Sequence, residues 1–153
     1  MANPFPFTAG QVLTAAQLNG IGETTTYTPT WTNLTVGNGT QSWKYIRINN
    51  TIQIVGSLIF GSTTSVTGLI THNFPVVADT TTNTAVIGWA SLQDSGTGTL
   101  PAAIYQLSTN AFGIYPVSAN GTYLGPLTAS SATVPFTWAN TDEIRLILTY
   151  KAA

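Results

Sequence analysis

His72 is the only imidazole in the sequence, and the first residue of which chemistry can be asked. A general base has to lie within hydrogen-bond reach of the group it activates, and a third group has to orient it. Asp79 and Asp94 could take the orienting role and serines are plentiful. No Gly-x-Ser-x-Gly elbow presents any of them, so His72 reads as an ordinary hydrogen-bonded strand residue. The remaining acids are Glu23, Asp142 and Glu143. Hydrolysis by paired carboxylates needs two of them facing each other across a cleft. Asp142 and Glu143 are adjacent at the head of a strand-like run, where neighbouring side chains point to opposite faces. They read as turn and edge residues. Asp94-Ser-Gly-Thr-Gly98 has the outline of a calcium loop, but one carboxylate is too few for a tight site, and a hairpin turn is the better reading. There is no Cys, which excludes thiolate catalysis, thiolate metal sites and disulfides. The expectation is a protein that is not an enzyme, with no metal and no cofactor.

Aromatic residues offer a different chemistry. Trp31, Trp43, Trp89 and Trp138, with Tyr45, Tyr105, Tyr115 and Tyr123, could present stacking faces to sugar rings while Asn, Gln and Thr bond their hydroxyls. Trp and Tyr on strands serve equally as core or subunit-interface residues. Tyr115 and Tyr123 flank the turn at Asn120-Gly121, so Tyr115, Tyr123 and Asn120 are the candidate glycan contacts.

The elements that must position these residues are strands. From Trp31 onward, β-favouring runs alternate with turns at short intervals: Trp31 to Val36, Ser42 to Ile48, Thr51 to Phe60, Ser65 to Asn73, Thr84 to Gln93, Thr99 to Leu107, Ala111 to Val117, Ala132 to Trp138 and Asp142 to Tyr150. The clearest hairpin joins the second and third through Asn49-Asn50, two residues tolerant of positive φ. Ile46 and Ile48 on one arm, with Ile52, Ile54, Leu58 and Phe60 on the other, are expected to face inward. Ile144, Leu146, Leu148 and Tyr150 form a second such row. About nine strands at this spacing predict an all-β fold, an antiparallel β-sandwich of jelly-roll type, over residues 31–153.

Residues 1–30 read differently. Asn3-Pro-Phe-Pro-Phe7 is extended. Thr14 and Gln17 have capping-box spacing, Leu13 and Leu18 that of a hydrophobic staple, and Gly20 stands where a helix C-terminus wants a left-handed residue. The short helix so specified is too brief to stand alone and needs something to dock against. Glu23 to Thr30 is polar and β-prone, a linker or edge segment.

Only 6% of residues are charged, against the usual quarter or so, and about a quarter are Ser or Thr. Mean hydropathy is +0.20. A neutral surface with this much apolar content predicts burial against other copies of the chain. Lys44, Arg47, Arg145 and Lys151 are isolated, which argues against nucleic acid. No apolar run approaches a membrane span and no signal peptide heads the chain, so a product of the cytoplasm, without membrane insertion, is expected.

Phe7-Thr-Ala-Gly-Gln-Val-Leu-Thr-Ala-Ala-Gln-Leu-Asn19 resembles the N-terminal segment of many bacteriophage tail-fibre and virion appendage proteins. Tyr27-Thr-Pro-Thr-Trp31, Gly37-Asn-Gly39, the long hairpin, Asp94 to Gly98, Thr133 to Trp138 and Leu146 to Tyr150 resemble a β-sandwich domain of phage structural proteins. The resemblance implies a homotrimeric virion protein whose leader, through Phe5, Phe7, Val12, Leu13, Leu18 and Ile21, makes the trimer and attaches to other virion proteins. The resemblance does not place the trimer on tail or head; the leading expectation is a tail fibre or tail appendage that touches a host-surface glycan. A capsid decoration protein or head fibre, and a carbohydrate-binding module or adhesin, are the alternatives.

Overall fold

A computed structural model describes residues 10, 12, 14, 15, 20–79, 86–120, 123–126 and 129–153, and for 118–120 and 123–126 only the backbone. Its strands are β1 (Thr24–Thr26), β2 (Trp31–Thr35), β3 (Thr40–Ile48), β4 (Thr51–Ile59), β5 (Ser65–Asn73), β6 (Val86–Asp94), β7 (Gly98–Gln106), β8 (Ala111–Asn120), β9 (Tyr123–Pro126) and β10 (Glu143–Lys151). They join in one antiparallel sheet in the order β1-β3-β4-β10-β6-β7-β8-β5-β2, with β9 paired to β8. The fold is all-β, as the strand-and-turn pattern predicts.

The sheet curls until its two ends touch. Trp31 on β2, at one end, meets Trp43 on β3, near the other, edge to face with ring centres 5.4 Å apart. Both indole N–H groups donate to the side-chain oxygen of Gln41, at 3.2 and 3.1 Å. Inside lies one apolar cluster: Ile52, Ile54 and Leu58 from β4, Ile70 from β5, Leu92 from β6, Ile104 from β7, Phe112 and Ile114 from β8, and Ile144 and Leu148 from β10 are all at most 1% exposed. Each follows the period-two alternation that puts one strand face inward.

The Asn49-Asn50 hairpin forms as expected, with Asn49 at φ 54° and Ile48 opposite Thr51. Its inward face on β3 is not the expected one. Ile48 is 52% exposed and Ile46 half-buried, while Trp43 is 1% exposed. Register is the reason. A two-residue loop pairs Ile52 with Arg47, Ile54 with Tyr45 and Gly56 with Trp43. Directly opposed residues share a face, so the inward β4 positions bring the odd-numbered residues of β3 in with them. Gly56 has no side chain because the Trp43 indole occupies that place.

Ala132 to Trp138 does not form the expected strand. It turns, with an isolated bridge between Ser131 and Val134. Pro135 has no N–H to give a ladder, and Phe136 and Trp138 instead cover the core. Trp138 stacks on Phe60 at 4.8 Å, and its N–H donates to the Ser131 carbonyl at 3.0 Å. Thr24–Thr26 is an edge strand on β3. The expected helix falls mainly on residues outside those described.

Gly56→Ala would drive a methyl into the Trp43 indole and should destabilise the fold by about 2–3 kcal/mol. Gly98→Ala meets nothing within 4 Å and should change stability by less than about 0.5 kcal/mol. Urea unfolding midpoints check both; equal values would mean that Trp43 does not cover Gly56.

Candidate functional site

The polar groups capable of chemistry are mostly engaged in holding the fold. His72 sits on β5 at 1% exposure, enclosed by aromatic rings. Trp31 and Trp43 lie 4.6 and 4.7 Å from it, Phe112 stacks at 4.7 Å, and Tyr27 stands edge-on at 5.9 Å. Its Nδ1 lies 2.7 Å from the Asn73 carbonyl, which can only accept, so Nδ1 carries a proton, and burial favours the neutral ring. Burial pushes its pKa down to about 3, the Asn73 bond opposing weakly. Among the described residues its Nε2 and the Tyr27 hydroxyl have no hydrogen-bond partner. Burial likewise pushes the Tyr27 and Tyr150 hydroxyls above their ordinary range, and Tyr150 donates to the Val76 carbonyl at 2.7 Å.

The two adjacent acids do separate jobs. Asp142, 1% exposed, accepts from the Ser95 and Ala139 amides and so ties two turns together. Glu143 accepts two bonds from Arg145, at 2.6 and 2.7 Å. Asp79 pairs with Lys151 at 2.8 Å. The turn at Asp94 closes with a Thr97 amide bond to its carbonyl, and Gly96 at φ 83°. No group of three potential metal ligands occurs among the described residues.

The remaining accessible chemistry is on the outer face of the sheet. Register aligns its side chains into rows running across the strands. One row is Lys44-Val55-Ile147-Trp89, from β3, β4, β10 and β6. Val55, Ile147 and Trp89 in it are 51, 51 and 55% exposed. The adjoining row is Ser42-Ser57-Arg145-Ser91. Three short serines beside a row of long side chains leave a trough of about 640 Å³. That volume lies within the roughly 300–1,000 Å³ of ordinary ligand clefts.

Of the expected glycan contacts, Tyr115 is half-buried and packs edge-on against Tyr105 at 5.1 Å. Asn120 and Tyr123 pair through the backbone where β8 meets β9, and their side chains are not among those described. Of the leader residues, Val12 is 84% exposed and Ile21 half-buried. Phe5, Phe7, Leu13 and Leu18 lie outside the described residues. Trp89, Lys44 and the serine row come together only through three strand pairings, which no local signal in the sequence reveals. No described helix is long and apolar enough to cross a membrane. Comparisons with family models, with curated proteins and with solved structures give no match.

His72 carries a stability prediction. Its folded pKa lies below the unfolded value near 6.5, so the unfolded chain binds the extra proton. The neutral ring's contribution is complete above about pH 6.5 and is lost as pH falls toward 3. Between pH 7 and 4.5 this amounts to about 2–3 kcal/mol. The His72→Phe protein should lack that part of the acid sensitivity. Denaturant titrations of both proteins across this range measure the difference; parallel curves would mean His72 titrates normally.

Proposed function

We propose that this chain is a non-enzymatic structural protein of a phage virion. On this reading it is a homotrimeric tail fibre or appendage whose leader, residues 1–30, assembles the trimer and attaches it. The β-domain projects outward toward the host surface. The observation that carries the reading is where the core begins. The buried cluster runs from Leu34 onward with Tyr27 and Trp31 packed on it, and no described residue before Tyr27 belongs to it. Val12, by contrast, stands exposed. That the described residues ahead of β1 lie outside the buried cluster supports a leader that meets a partner outside the chain. The core contacts also support a sandwich-like arrangement: His72 on β5 touches Trp43 on β3, strands far apart in the sheet order.

The engagement of His72, Asp79, Asp142 and Glu143 in structural contacts favours a scaffold over a hydrolase. A carbohydrate-binding role has its own support in the trough beside Trp89, which suits an adhesin or a fibre equally. A capsid decoration protein or head fibre would use the same leader and differs only in its place on the particle.

Light scattering should give the mass of three chains for the full-length protein. Removal of residues 1–22 should leave a folded β-domain of lower association state, with its thermal midpoint within a few degrees, that no longer enters particles. A full-length monomer at micromolar concentration would overturn the trimer. An unfolded truncation would mean that the leader is part of the core.

A further inference from the structure

We infer that the outer-face trough binds a carboxylate-bearing polysaccharide, with a sugar ring laid on Trp89 and a carboxylate at Lys44. The inference deepens the glycan-binding limb of the proposed function and places it on the sheet rather than at the β8–β9 turn.

Three properties of the trough select this ligand. The first is Trp89, the outward-facing indole, 55% exposed where Trp43 is 1%. An exposed Trp flanked by Ile147 gives a flat apolar platform of the kind a pyranose C–H face covers. The second is the floor. Ser42 and Ser57 stand on neighbouring strands of one row, about 4.8 Å apart, and Ser91 follows beyond Arg145, two strand spacings from Ser57. Each hydroxyl both donates and accepts, as sugar hydroxyls do.

Charge is the third. Arg145 lies in the serine row, but its guanidinium is tied to Glu143 by two bonds, so the pair contributes little net charge. Lys44 is exposed, and no carboxylate pairs with it among the described residues. One uncompensated ammonium at the end of a mainly apolar trough with serine hydroxyls along one side suits one carboxylate among neutral hydroxyls. A densely phosphorylated polyanion would call for clustered cations. The unused N–H donors of Arg145 remain available to ring or hydroxyl oxygens.

Isothermal titration of the full-length protein with a galacturonic acid hexasaccharide, and with maltohexaose as a neutral control, tests the inference. The uronate should bind at least tenfold more tightly than the neutral sugar. Trp89→Ala should weaken uronate binding at least tenfold, and Lys44→Gln several-fold while narrowing the preference over maltohexaose. Val77→Ala, at an exposed position away from the trough, should leave affinity unchanged. Unaltered thermal midpoints confirm that the variants fold. Absence of uronate binding, or binding indifferent to Trp89→Ala, overturns the inference. So does a Trp89→Ala protein of reduced mass by light scattering, because the face would then be an interface between chains. A trimer that binds no uronate refutes the trough alone; a monomer that binds it refutes the oligomer alone.

Discussion

The cage around His72 is the constraint on which the rest of the molecule depends. A curled sheet must bring its ends together, and here the side chains do so. Trp31 and Trp43 share Gln41 as acceptor, and the imidazole fills the space between their rings, Phe112 and Tyr27. Each aromatic contact contributes about 0.5–1.5 kcal/mol beyond burial. The ring can occupy this place only as the neutral species, because a buried imidazolium would have no compensating charge. Closure puts the large aromatic surface inside. The outer face is left with a mixture of serines, a few aliphatics and one Trp.

That division explains how one composition serves two ends. With 6% charged residues the chain cannot cover itself in ions. Exposed Thr and Ser, such as Thr40 and Ser42 on β3, Thr51 on β4 and Ser65 and Thr67 on β5, supply solvated surface, and the few charges take fixed tasks. Asp142 ties turns, Glu143 holds Arg145, and Asp79 meets Lys151 where β10 ends. Lys44 stands apart from these, and its position at the end of the Trp89 row is what gives the outer face a direction. Of the described leader residues, Tyr27 packs on the core and Thr24–Thr26 add an edge strand to β3, while none before Tyr27 joins the buried cluster.

Much of the fold is legible in the sequence. The Asn49-Asn50 and Asp94 to Gly98 turns announce their hairpins, and the alternation of Ile144, Leu146, Leu148 and Tyr150 marks the inner face of β10. The β3 face was also open to calculation: with a two-residue loop, inward Ile52 and Ile54 require inward Arg47 and Tyr45. Hydrophobicity alone favours Ile46 and Ile48 instead, and register overrules it. Ala132 to Trp138 has the residues of a strand but lacks a partner, and its aromatics cap the core from a turn. The site is less legible. Trp43 and Trp89 are alike in local sequence signal, and only the pairing order tells which is buried. The serine row is invisible until β3, β4, β10 and β6 are placed side by side.

The single histidine gives the most direct measure of the central closure. Nitrogen and carbon NMR shifts of its imidazole, followed from pH 7.5 down to 4, should report one neutral ring protonated at Nδ1 throughout. A ring that titrates near pH 6.5, or that exchanges between tautomers, would contradict a sheet locked by a buried aromatic cage.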